Sequence, residues 1–427
     1  MVEQTQGLST SSNTPKARLP RAGEASSKGL LVVLSLGCFL QHVACGDPDG
    51  AGNPLGSSTT LEVDTLQALL QGVSTQVVLP GLNQFLDDAA TLEEAAGAWS
   101  DALQSGESGV EERGAAQDAW WLAMASWQEL EVMQIGPAGS SLTAAGGLDL
   151  RDELYSWPSV NPCRIDQETV DAEWDSDTFY TERLVNVYGL DALEYLLFND
   201  NSDNDCPGQL DINASGSWDA LGESGVWLNR SAYTYAIAKH LSDVGEDLYQ
   251  RWDPSGGDFG AQLSMEGGAD TYENSTIALN AVFDGLFYLE TRTKDEKLAH
   301  PLGLLDCGAS DCLEDVESPF SQGSTAWVHA NLLGFQKLFT GADGTGMDDL
   351  LIEMGHQDLA DRMNSNLARA IETSGSLNAS LDALFKQDQT MALQFYDEVK
   401  AITDDLKGDL STVLALQIPS EAAGDND

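Results

Sequence analysis

The chain has 427 residues, 42% of them hydrophobic, which makes it too long for one ordinary core and too apolar for a disordered chain. Its 69 acidic side chains against 20 basic ones give a net charge of −49. Nucleic acids and anionic membrane surfaces are therefore repelled, and cations are attracted.

Residues 1–28 are polar, with Lys16, Arg18, Arg21 and Lys28 against Glu3 and Glu24, and Gly29 to Leu40 is apolar. That apolar run has the length of a signal-peptide core and is too short to span a bilayer as a lone helix. Ala44 directly before Cys45 resembles a lipoprotein processing site, so 1–45 reads as a signal segment with Cys45 lipidated. Cys38, in LGC, competes, but the chain turns polar only after Cys45. Gly46, not Asp, follows, which points to sorting to a bacterial outer membrane, facing the periplasm or the surface. Residues 46–60 are rich in Gly, Pro and Ser and read as a flexible linker.

Beyond Thr60 the spacing of apolar residues is helical. Trp120, Ala123, Trp127 and Leu130 share a face, as do Leu279, Val282, Phe283, Leu286 and Leu289. Met363, Leu367 and Ile371 follow the same rule, and so do Ile402, Leu406, Leu410, Val413 and Leu414. Gly and Pro gather between such runs, at 136–147 and 253–260, and no sustained alternation marks a strand. The fold class is all-α, two helical bundles packed together, over 61–222 and 223–420, with a disordered tail at 421–427.

None of the six cysteines sits in a CxxC pair or near a histidine at zinc-finger spacing. Export implies an oxidising compartment. Cys163, Cys206, Cys307 and Cys312 allow three connectivities. The short spacing of Cys307 and Cys312 suits a small loop and leaves Cys163 with Cys206.

Several segments, in order, resemble one family: AWWLAMASWQELEVMQIGP (119–137), WPSVNPCRIDQ (157–167), GLDALEYLLF (189–198), FDGLFYLETRTKDEKLAHPLG (283–303), ESPFS (317–321) and HANLLGFQKLFTG (329–341). The chain is similar to the imelysin-like proteins, related to iron-uptake lipoproteins and classed with the metallopeptidases. The resemblance implies an all-α fold of two bundles, a cell-envelope location, and a site near the bundle interface linked to iron or another metal.

The family's Gly-x-His-x-x-Glu motif falls on Gly189, Asp191 and Glu194, with Asp191 in place of the histidine. Three residues apart on a helix, Asp191 and Glu194 point to one side and can converge on a cation. On an exposed face the same pair would merely be solvated. Oxygen donors alone favour hard ions such as calcium, magnesium, manganese or ferric iron. Glu131 is the next candidate ligand, and Asp166 and Glu317 follow. A zinc hydrolase usually brings three protein ligands, yet HExxH is absent and His240, His300, His329 and His356 are scattered. The acidic loop 199–205 lacks EF-hand spacing, and no GxSxG, P-loop or GxGxxG occurs.

The leading expectation is a non-catalytic envelope lipoprotein binding a metal ion (iron, calcium or another divalent), membrane-attached by its lipid, with an envelope protein as a further partner and no nucleic acid. A metallopeptidase and a protein-binding scaffold with a degenerate site are the alternatives.

Overall fold

Helices with one apolar stripe each account for the architecture. The computed structural model describes residues 63–142, 147–266, 271–419 and 422, and no strand occurs among them. The signal segment, Cys45 and the linker lie outside the described residues, as does the tail apart from Ala422. No helix among the described residues is long and apolar enough to cross a membrane.

The first group of helices starts with α1 (Val63–Gly72), which runs through a π-helical turn (Val73–Val78) into α2 (Leu79–Gln104). α2 buries Leu82, Phe85, Ala89, Leu92, Ala96 and Trp99, alternating spacings of three and four. It packs along α3 (Val110–Glu131) and along α9 (Ser217–Trp252). Short helices fill the chain between: α4 (Leu150–Leu154), α5 (Pro162–Asp171), α6 (Phe179–Glu182), α7 (Leu190–Phe198) and α8 (Asp211–Ala214). α7 is wedged against α3, α5 and α9, and all of Leu190 to Leu197 is buried. α9 kinks at Gly222 (φ 62°), and its long arm, which lies beyond the boundary expected near 222, packs along α2 within the first group.

α10 (Phe259–Leu263) packs on α1, the π-helical turn after it and α9. The second group comprises α11 (Ser275–Leu286), a π-helical stretch (Leu289–Ala299), α12 (Ser324–Thr340), α13 (Met347–Glu353), α14 (Gln357–Ser376), α15 (Leu381–Gln387) and α16 (Gln389–Asp405). α14 lies against α12 and α16, and the π-helical stretch lies against the same two helices. α12 also packs on α3 and so joins the groups. Gly334 permits that approach: a Cβ there would stand 2.1 Å from the Glu129 carbonyl oxygen. Both expected disulfides are present, Cys163–Cys206 (S–S 2.02 Å) and Cys307–Cys312 (2.05 Å). The first ties α5 to the loop after α7, and the second closes the loop that leads to Asp315 and Glu317.

Candidate functional site

Gly189 sets the entry to α7. Its φ of 94° disfavours any other residue, and a Cβ would crowd the Leu154 carbonyl oxygen at 3.0 Å and Asp191 Oδ1 at 3.1 Å. The turn places Asp191 in the first helical turn, where the helix dipole favours an acid. Asp191 Oδ2 accepts from the Ser156 amide (3.2 Å) and hydroxyl (2.6 Å), and Oδ1 accepts from the Ala192 amide (3.0 Å). One turn on, Glu194 Oε1 accepts from the amides of Phe320 (3.1 Å) and Ser321 (2.7 Å). One carboxylate thus holds the chain after α4 and the other holds the loop before α12.

Both side chains are deeply buried, each residue 4% exposed. Burial pushes Asp191 up to about 7, against the pull of its Ser156 and Ala192 hydrogen bonds. Burial likewise pushes Glu194 up to about 7, with Glu317 adding repulsion. Both line a cavity of about 410 Å3 walled by Trp157, Pro158, Val160, Pro162, Pro319 and Phe320. Glu296, His300, Glu314 and Asp315 also line it.

His300 Nε2 lies 3.0 Å from Asp315 Oδ2. Together with Cys312 Sγ their donor atoms fall within 4.8 Å of one another, the one convergent set of three such residues among the described ones. Cys312 is bonded to Cys307 and offers no thiolate, so the set reduces to the His–Asp pair. Asp191 and Glu194 do not belong to that set, although they share the cavity with it.

Glu131 stands in a different buried cluster. Its Oε1 takes Arg151 Nη2 at 2.7 Å and Nε at 2.8 Å, and its Oε2 lies 3.6 Å from Lys297 Nζ. Burial raises Glu131, but Arg151 and Lys297 outweigh it and hold the carboxyl below the usual range. Lys297 also reaches Gln128 Oε1 (2.6 Å), Asn331 Oδ1 (3.0 Å) and Glu317 Oε1 (3.0 Å). Tyr155 donates to the same Glu317 oxygen at 2.7 Å. Burial raises Glu317, and Lys297 offsets that only in part.

Asp166 is fully buried and pushed up to about 6 by burial. It accepts from the Tyr195 hydroxyl and the Asp205 amide, both at 2.8 Å, and meets Arg230 at 3.4 Å. Arg230 donates to the carbonyls of Asn201 (2.6 Å) and Asp203 (3.2 Å), and Arg113 to those of Leu197 (2.9 Å) and Asn199 (3.2 Å). The acidic loop therefore engages guanidinium groups through its backbone oxygens and through the Asp200 carboxylate, 3.1 Å from Arg113.

Of His240, His300, His329 and His356, His300 alone lines the cavity. His240 stacks on Tyr180 (centroids 3.6 Å apart), His329 meets Ser374 at 2.8 Å, and His356 precedes α14. Tyr155, Ser156, Arg151 and Lys297 belong to the site or its backing and carry no motif. One signal for Lys297 was available: Arg292, Lys294 and Lys297 crowd into eleven residues of a chain with only 20 basic side chains.

A family model described as Imelysin matches residues 78–409, a span that contains every segment of the resemblance. The crystal structure of an imelysin-like protein from Psychrobacter arcticum 273-4 superposes with a TM-score of 0.64 at 18% identity, covering 85% of this chain and 99% of that one. A structure described as an iron-regulated protein A precursor, from Parabacteroides distasonis ATCC 8503, gives 0.63 at 16% identity, covering 84% of this chain and 97% of that one. At these identities the likeness establishes the fold. No curated protein matches the chain.

Proposed function

The chain belongs to the Imelysin family, and from that premise we propose that it is a non-catalytic cell-envelope lipoprotein that binds a metal ion on Asp191 and Glu194. The observation that carries this reading is their burial in one cavity with no lysine or arginine in its lining among the described residues. An ion there would offset the cost of keeping two acids ionised away from water. The donors fit a hard ion: carboxylate oxygen suits calcium, magnesium, manganese or ferric iron. One structural relative is described as iron-regulated, so iron is the first of these ions to test.

The chain's own residues orient the donors. Ser156 and Ala192 fix Asp191, while Phe320 and Ser321 occupy one Glu194 oxygen. The aspartate in place of the motif histidine leaves fewer soft donors than a hydrolytic zinc site commonly has. Attachment through a lipid on Cys45 would hold the protein at a bacterial outer membrane. His300, which lines the same cavity, favours one second reading, a metallopeptidase in which this imidazole replaces the missing one.

The thermal midpoint scanned across metal ions tests both. An ion at about 100 times its dissociation constant adds roughly 2.7 kcal/mol to the folded state. We expect a hard ion to raise the midpoint, Asp191→Asn and Glu194→Gln to abolish the rise, and no peptide hydrolysis with any ion. If no ion moves the midpoint, the metal reading fails. Hydrolysis that chelators stop and His300→Ala removes would establish the peptidase.

A further inference from the structure

A lone metal ion fills little of the cavity above Asp191 and Glu194. The space measures about 410 Å3, whereas six water molecules around an ion, at about 30 Å3 each, take roughly 180 Å3. The volume falls in the range of small-molecule pockets, about 300–1,000 Å3. Much of the boundary is carbon, from Trp157, Val160, Pro162, Pro319 and Phe320.

The charged lining has one sign. Asp191, Glu194, Glu296, Glu314 and Asp315 contribute carboxylates, and among the described residues neither lysine nor arginine lines the space. His300 pairs with Asp315. Arg292 takes Glu296 Oε1 at 2.5 Å, while Glu296 Oε2 is buried without a hydrogen-bond partner. A neutral apolar ligand would leave these acids uncompensated. A metal ion would leave the carbon wall to water.

Acid and wall meet at one residue. The Phe320 amide donates to Glu194 Oε1 at 3.1 Å, and the Phe320 ring packs edge-on against Tyr195 with centroids 5.0 Å apart. A ligand satisfying both must carry a positive charge beside an apolar body. We propose that the cavity binds a small organic cation, a protonated amine on an aromatic or aliphatic body, with its ammonium on Asp191 and Glu194 and its body on the wall around Phe320 and Val160. An ammonium brings three donors and no acceptor, which matches a lining of carboxylate oxygens. This inference rests on the two carboxylates being the cation-binding floor, as proposed above, and adds what the wall selects. Amine and metal then compete for the same oxygens.

Calorimetric titration of the full chain at pH 8 tests it, with 2-phenylethylamine as probe and 2-phenylethanol as its uncharged counterpart. The amine should bind roughly tenfold or more tightly than the alcohol, the scale of a charge-assisted hydrogen bond. Glu194→Gln should erase that advantage. Val160→Ser should weaken the amine by about threefold, the scale of a lost methylene contact or less, and leave the response to divalent ions unchanged. Cooperative thermal unfolding with midpoints no lower than the parent's would show that both variants fold. Amine binding no tighter than alcohol binding, or unchanged by Glu194→Gln, overturns the proposal. If a metal ion raises the midpoint and the amine gives no heat, this inference falls and the metal reading stands. Amine binding without any metal effect would do the reverse.

Discussion

Two sets of buried carboxylates in this molecule differ in what faces them. Glu131 and Glu317 are as deeply buried as Asp191 and Glu194, at 1% and 0% against 4% and 4% exposure. The first two share Lys297, and Glu131 has Arg151 as well. The second two have amides and a hydroxyl, and an open cavity instead of a cation. Glu131, which faces two cations, is consequently held below its usual range, whereas Glu317, which Lys297 offsets only in part, is raised, and Asp191 and Glu194 are pushed up to about 7. Burial alone does not make a cation site. A site arises where burial goes uncompensated and space remains for what would compensate it.

The internally neutralised set can be broken first, with the largest effect. Lys297 Nζ is fully buried among Glu317, Gln128, Asn331 and Glu131. Lys297→Met keeps much of the stem and removes the charge, leaving Arg151 to offset two acids. Breaking a buried pair in this way costs about 3–5 kcal/mol, read as a lower urea midpoint at pH 7. The response to metal ions should survive in the folded fraction, because Asp191 and Glu194 do not contact Lys297. A loss under about 1 kcal/mol, the scale of an exposed pair, would mean that the cluster is not held by its ion pairs.

The uncompensated set should respond to pH with a definite sign. The Glu194 carboxyl sits at about 7 in the folded chain against an ordinary 4.5. Between those values the folded state binds more protons than the unfolded one, so stability falls as pH rises from about 4.5 to 7 and the contribution is absent above that window. Glu194→Gln keeps an oxygen for the Phe320 and Ser321 amides and cannot ionise. At pH 8 it should therefore be more stable than the parent by about 1–3 kcal/mol, and near pH 4 the two should converge. Urea midpoints at pH 4, 6 and 8 provide the comparison, and parallel curves would show that Glu194 is not held in an uncompensated setting.

The contrast between these sets was only half visible in the sequence. Spacing alone put Trp120, Ala123, Trp127 and Leu130 on one buried face, and it put Asp191 and Glu194 on one side of α7. Local periodicity carries that much because 3.6 residues per turn is fixed by the backbone. It fails for LETRTKDEKLA (289–299), which shows no apolar stripe and forms a π-helical stretch that buries Thr293, Lys294, Asp295 and Lys297. Glu131 shows the same limit. Its carboxylate reads as a spare ligand until Arg151, twenty residues on, and Lys297, from the other helical group, are seen to face it. His300 looks like a lone turn residue in sequence and lines the Asp191 cavity in space. What faces a buried charge is a property of distant segments, which no local pattern records.

Ser156 offers the smallest and most selective perturbation. Its hydroxyl donates to Asp191 Oδ2 at 2.6 Å, and this bond opposes the upward push of burial on that carboxyl. Ser156→Ala removes one donor and leaves the Ser156 and Ala192 amides in place. Asp191 should then titrate higher still, visible as a shifted midpoint for its carboxyl carbon by NMR. A hydrogen bond to an ionised group is worth about 1.5–3 kcal/mol, less where other donors remain. We therefore expect a loss of about 1 kcal/mol at pH 8 and a smaller loss at pH 5, where Asp191 is already protonated. If the loss is equal at both pH values, the hydroxyl is packing rather than charge stabilisation, and Asp191 depends on its backbone donors alone.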